Sequence, residues 1–148
     1  MNRPVDVLLV DDNQADVRLS LLVMGEEINP TRVRVARDGE EALDFILHRG
    51  LYSEPTGASW FRLILLDLKL PKVSGFDVLA RIKSDPRAKA IPVVVLSSSK
   101  QDRDIQRSYE LGANSYLQKP VVFEEFRALI RRAVQYWLLL NEAPVLPP

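Results

Sequence analysis

The sequence predicts an α/β doubly wound parallel sheet, five strands alternating with five helices, and three observations carry that expectation. Two aliphatic runs, Leu63-Ile64-Leu65-Leu66 and Pro92-Val93-Val94-Val95-Leu96, are too short for ordinary helices and have no polar face, so they read as strands buried on both sides. Segments with helical spacing of apolar residues stand between the strand-like runs and are joined to them by short connections. The runs end on polar or charged residues, Asp67 first among them, and in doubly wound sheets ligands gather outside the carboxyl ends of the strands.

The first strand spans residues 5–10, apolar except for Asp6, and meets Asp11-Asp12-Asn13, acids that cannot be buried without a partner. Asn13 can cap a helix carrying Val17, Leu21 and Met24 on one side and ending near Gly25. Residues 31–36 alternate polar and apolar, as an edge strand with one wet face does. Asp38-Gly39 opens a second helix with Ala42, Leu43, Ile46 and Leu47 at helical spacing, and His48 reads as an ordinary helix-end residue. Residues 49–60, broken by Gly50, Pro55 and Gly57, form the longest expected loop. The third strand ends on Asp67, with Pro71 following too soon for a regular helix to start at Asp67. Ser74-Gly75 leads into a helix through Phe76, Val78, Leu79 and Ile82 that stops at Asp85-Pro86. The fourth strand runs into Ser97-Ser98-Ser99, a polar helix follows over residues 100–111, and Gly112 closes it. Residues 115–118 make a short fifth strand ending at Lys119-Pro120, and Phe123, Phe126, Leu129, Ile130, Ala133, Val134 and Trp137 mark one side of a long last helix. Residues 1–141 form one domain in this reading and 142–148 a Pro-rich tail.

With 148 residues, 47% of them hydrophobic, the chain is long enough to bury a core without covalent staples. Twenty basic against twenty acidic residues give a formal net charge of zero, so there is no general electrostatic case for a nucleic-acid or anionic-membrane partner. The absence of Cys excludes disulfides, thiolate metal sites and Cys nucleophiles. No stretch is apolar enough for a secretion signal or a membrane span, and the chain reads as cytoplasmic.

The strand ends should bring together Asp11, Asp12, Asp67, Ser97 and Lys119. Three neighbouring carboxylates repel one another unless a cation sits among them, and oxygen ligands favour Mg²⁺ or Mn²⁺ over Zn²⁺. An Asp carboxylate beside a hard cation, an ammonium and a hydroxyl is equipped to attack phosphorus. The metal and Lys119 would neutralise the peripheral oxygens, and Ser97 would hydrogen-bond one of them.

Val10-Asp11-Asp12-Asn13, Leu66-Asp67-Leu68-Lys69-Leu70-Pro71 with Ser74-Gly75, Leu96-Ser97-Ser98 and Tyr116-Leu117-Gln118-Lys119-Pro120 occur in that order, and the chain resembles over nearly its whole length the receiver domain of bacterial two-component response regulators. The resemblance implies the flavodoxin-like receiver fold with strand order 2-1-3-4-5. It implies that Asp67 accepts phosphate from a histidine kinase, and that Asp12, Asp67 and the Lys69 backbone carbonyl bind Mg²⁺ with help from Asp11 through water. By the same resemblance Lys119 precedes a cis Pro120, Ser97 and Tyr116 act as the switch, and Lys69 and Ser99 line the approach of water. Such a protein is a phosphoacceptor with Mg-dependent self-phosphorylation and dephosphorylation chemistry, and is not otherwise an enzyme. The insertion at 49–60 and the extended last helix are similar to those of the single-domain regulators paired with bacterial phytochromes, which implies a red-light sensor kinase as partner and a homodimer.

No output domain is legible after the last helix, so signalling is expected to pass through association. That helix is apolar nearly all round at its end, and Phe126, Tyr136, Trp137 and Leu138 are the expected dimer residues. Three other readings compete. A haloacid-dehalogenase-type phosphatase needs a second Asp two residues after its nucleophile, where Lys69 stands. A flavin-binding electron carrier needs a Ser/Thr/Gly-rich phosphate loop after the first strand, where acids stand. A phosphorylation-independent dimeric receiver scaffold would keep every site residue while its output ignored them.

Overall fold

The two aliphatic runs become neighbouring strands in the middle of a five-stranded parallel sheet, β1 (Val7–Val10), β2 (Val33–Ala36), β3 (Leu63–Leu66), β4 (Val93–Ser97) and β5 (Ser115–Gln118), in the order β2-β1-β3-β4-β5. The computed structural model describes residues 6–47 and 61–145; His48, the 49–60 insertion and the two chain ends at 1–5 and 146–148 lie outside the described residues. Five α-helices alternate with the strands: α1 (Gln14–Gly25), α2 (Gly39–Ile46), α3 (Gly75–Ser84), α4 (Asp102–Glu110) and α5 (Phe123–Val134).

Because strand side chains alternate between faces, each fully apolar strand feeds two cores. Leu8, Val10, Ile64, Leu66, Val93 and Val95 meet Ala42, Phe45 and Ile46 of α2 and Val78, Leu79 and Ile82 of α3. Val7, Leu9, Leu63, Leu65, Val94 and Leu96 meet Val17, Val23 and Met24 of α1 and Phe126, Ile130 and Val134 of α5. Each buried aliphatic side chain of this kind contributes about 1.5–3 kcal/mol relative to exposure.

Local chemistry starts the helices where the sequence reading put them. The side chains of Asn13, Asp38 and Ser74 accept hydrogen bonds from the backbone N–H groups of Asp16, Glu41 and Asp77, capping α1, α2 and α3. Residues 31 and 32, expected in β2, belong instead to a 3₁₀ turn, Pro30–Arg32, capped by Asn29. Gly112, at φ +105°, ends the connection from α4, and a Cβ there would stand 2.8 Å from Cγ of Lys83. That lysine clips three segments together, its ammonium donating to Lys89 O at 3.0 Å, Ile91 O at 2.8 Å and Asn114 Oδ1 at 3.0 Å. Burial pushes its pKa down to about 8.

The last helix departs from expectation at its end. After Val134 it widens into a π-helical turn, Gln135–Leu140. Phe126 and Leu138, expected in a dimer interface, are 3% and 5% exposed and lie in the chain's own core. They recur with Ile130 and Val134 every fourth residue, so all four occupy the single stripe that α5 and its extension turn toward the sheet. Arg62 donates to the Leu138 carbonyl at 3.2 Å and pins the turn to the start of β3. Tyr136, Leu139 and Leu140 point outward, and Trp137 is half-buried. Against α1, Arg127 and Arg131 grip Glu26 at 2.8 and 2.5 Å, and the Arg131 hydrogen bond, with both guanidinium charges, holds the Glu26 carboxyl below its usual range. Among the described residues no helix is long and apolar enough to cross a membrane.

Candidate functional site

The sheet register assembles the site. Val10 lies opposite Leu66 in the β1–β3 pair, so the residues that follow them, Asp11 and Asp67, leave the sheet side by side. Backbone bonds fix both: Asp11 N–H donates to Ala36 O and Asp67 N–H to Val10 O, each at 3.0 Å. Two strands away, Lys119 N–H donates to Ser97 O at 2.8 Å and carries the β5 direction one residue further, which places the lysine over the same edge. No cis peptide bond occurs among the described residues, so the Lys119–Pro120 bond is trans, contrary to the expectation; the end of β5 is what aims the side chain.

Carboxylate oxygens of Asp11, Asp12 and Asp67 lie within 4.8 Å of one another. Asp11 is buried, Asp67 partly so, and Asp12 is exposed. The Lys119 ammonium donates to Asp11 Oδ2 at 2.9 Å, Asp16 Oδ2 at 3.0 Å and Asp67 Oδ2 at 3.1 Å, which uses all three of its N–H groups. Burial raises the Asp11 carboxyl above its usual range, against the Asn13 N–H and Lys119 that favour the anion. Burial works against the Lys119 charge too, but the charge of Asp67 and the bonds donated to Asp11 and Asp16 outweigh it and raise the ammonium well above the ordinary lysine value. The group is a permanent cation at physiological pH.

Four carboxylates against one ammonium leave a formal excess of three negative charges in a partly buried pocket. Oxygen donors only, clustered and undercompensated, fit a hard divalent cation. Lys69, expected to offer its carbonyl, directs its N–H to Asp67 Oδ1 at 3.2 Å. Gly75 sits directly beneath Asp67: a Cβ there would stand 2.2 Å from Asp67 O and 2.5 Å from Leu68 Cα, so only glycine lets α3 start this close to the end of β3.

Ser97 and Tyr116 are joined through Ser99. The buried Ser97 hydroxyl accepts from Ser99 N–H at 3.1 Å, and the half-buried Tyr116 hydroxyl donates to Ser99 O at 2.9 Å. Ser99 Oγ in turn donates to Asp104 Oδ2 of α4 at 2.6 Å.

All five strand-end residues read from the sequence therefore meet at one edge of the sheet. Asp16 is the residue that reading missed. An acid three positions after a helix cap ordinarily signals interaction with the positive helix terminus, and only the packing of α1 against α5, which follows Lys119 in the chain, brings it to that lysine.

The response regulator receiver domain model matches residues 7–131. Response regulator Rcp1 of Synechocystis is 39% identical over 137 residues, covering 93% of this chain and 91% of the relative. A protein of Methanothrix harundinacea named "Probable methanogenesis regulatory protein FilR2" is 42% identical over 142 residues, 95% of this chain and 88% of its own. Among solved structures, the phosphorylated cyanobacterial phytochrome response regulator RcpA superposes with a TM-score of 0.89 at 40% identity, over 97% of this chain and 100% of that one. The Mn²⁺-bound form of Rcp1 gives 0.85 at 37% identity, over 96% and 100%. Fold, motif order, site geometry and these likenesses agree: the chain belongs to the response regulator receiver domain family.

Proposed function

We propose that Asp67 takes up a phosphoryl group from the phosphohistidine of a phytochrome-type sensor kinase and that the chain then signals by altered association with other proteins, a second copy of itself included. The observation that carries this is the Asp67 carboxylate held 3.1 Å from a permanent ammonium and beside the Asp11–Asp12 pair. An Asp67 oxygen forms the new bond to phosphorus as the P–N bond to the kinase imidazole breaks, and the imidazole nitrogen keeps the electron pair and is protonated. Lys119 donates to a peripheral phosphoryl oxygen, where a charge-assisted hydrogen bond is strongest as negative charge gathers. Asp11, Asp12, Asp67 and the Lys69 carbonyl would hold Mg²⁺, or Mn²⁺, which when bound supplies further neutralisation of that charge. Ser97 then gives up its bond from Ser99 N–H to meet the phosphoryl group, and Tyr116, bonded to the same Ser99, follows it. Lys69 and Ser99 flank the path of hydrolytic water. The domain is read as residues 1–141 and the protein as cytoplasmic.

The phytochrome partner is supported by the likeness to RcpA, itself a phytochrome response regulator by name, while the FilR2 name points to another pathway. Phosphotransfer from purified red-light sensor kinases, run beside kinases with unrelated sensors, tests it: transfer from the photosensory kinases should be faster, and equal or slower transfer removes the phytochrome assignment.

For the homodimer, Tyr136 is 50%, Leu139 61% and Leu140 74% exposed on the π-helical turn, an apolar surface that a second copy would cover. The double variant Tyr136→Lys, Leu139→Lys should shift the mass measured by light scattering to that of a monomer. A dimer mass that persists would remove this turn from the interface.

A further inference from the structure

We infer that Asp16 slows phosphoryl uptake at Asp67 by occupying one N–H of Lys119, a step that rests on the reading of Asp67 as the acceptor. An ammonium has three donors, and here Asp11, Asp16 and Asp67 occupy one each. Asp67 is the group that reacts, and Asp11 is buried at 3% side-chain exposure, bound by Asn13 N–H and tied into the sheet end. Asp16 differs from both. It comes from the first turn of α1, keeps 30% of its side chain exposed, and meets the ammonium from the solvent side.

Its own helix does not account for that placement. Asn13 caps Asp16 N–H through its side chain at 3.0 Å, while the Asp16 carboxylate turns away to Lys119. Two effects on the chemistry follow. An incoming phosphoryl group presents three peripheral oxygens that need donors, and the N–H held by Asp16 is withheld from them. The donor also approaches as an anion, and Asp16 supplies one of the three excess negative charges that the pocket carries before a divalent cation binds. Without Asp16, Lys119 keeps its bonds to Asp11 and Asp67, so its position survives while one N–H and one unit of repulsion are released.

The test uses the full chain, wild type, Asp16→Asn and Asp16→Ala, with acetyl phosphate as donor. Uptake forms a P–O bond to Asp67 and releases acetate. Mg²⁺ is brought to saturation separately for each variant, since removing an acid weakens the hold on the cation. Both variants should label faster than wild type, with kcat/KM raised on the order of tenfold, mostly through a lower KM for the dianionic donor, and the gain should shrink at high ionic strength. A merely structural role would lower the maximal rate instead, and a damaged fold does not produce a gain. Values of kcat/KM at or below wild type in both variants overturn the role given to Asp16 while leaving Asp67 as acceptor. A wild-type protein that takes up no label overturns both readings at once.

Discussion

Asp67→Asn takes up no phosphoryl group from acetyl phosphate in the presence of Mg²⁺, under conditions where wild type is labelled. The amide matches the carboxylate in shape, so the backbone bond from residue 67 to Val10 O and the close approach of Gly75 are kept. What disappears is the anionic nucleophile, and the other carboxylates are differently placed: Asp11 is buried, Asp12 is exposed and Asp16 is bound to Lys119. The measurement is phosphate incorporation per chain, read as an added mass or as radiolabel, with circular dichroism confirming the fold. Equal incorporation in the variant would place the phosphoryl group elsewhere and remove the mechanism proposed for the site.

Lys119→Met should be the most destabilising single change in the pocket. It keeps the aliphatic stem but strips the cation from a cluster in which its own side chain is 10% and that of Asp11 3% exposed. Breaking a buried pair by removing one partner costs about 3–5 kcal/mol, because the remaining charge is left uncompensated. Two conditions should restore much of that loss. Saturating Mg²⁺ supplies positive charge that the folded state binds and the unfolded chain does not. Acid does so by a different route. Burial already raises the Asp11 carboxyl above 3.8, and without Lys119 it rises further, so the folded variant binds protons that the unfolded chain releases. Stability of the variant therefore climbs as pH falls through the raised folded value toward 3.8. In wild type the linkage of Lys119 runs the other way: its folded pKa is raised, so its contribution is complete below 10.5 and fades only in stronger alkali. Urea unfolding across pH, with and without Mg²⁺, reads all of this. A variant as stable as wild type at neutral pH without metal would mean that the ammonium does not hold the acids together.

Much of the fold was legible because its signals are local. Unbroken aliphatic runs declare buried strands, and Asn13, Asp38 and Ser74 declare helix starts through the oxygen each offers to a backbone N–H. The meeting of Asp67 and Lys119 was legible because both stand at strand ends. The order of the strands came from the resemblance, since short connections fix handedness more than sequence position in a sheet. What stayed hidden depends on packing between elements far apart in the chain. Asp16 looks like any acid in a first helical turn until α1 is packed against α5. Leu138 looked outward because Tyr136, Trp137, Leu139 and Leu140 surround it with apolar neighbours, and only the stripe running from Phe126 through Ile130 and Val134 tells it apart. The ammonium of Lys83, bound to two carbonyls and Asn114, gives no sequence signal beyond one more charged residue on a helix.

The contact between Lys119 and Asp11 spans 108 residues of sequence. A nascent chain leaving the ribosome holds the acids of the pocket for most of synthesis without the lysine that pairs with them, and the pocket closes only after the fifth strand has emerged. Shortened products that lack that strand carry the acids without the lysine that gathers them, which makes competence for signalling a property of the finished polypeptide.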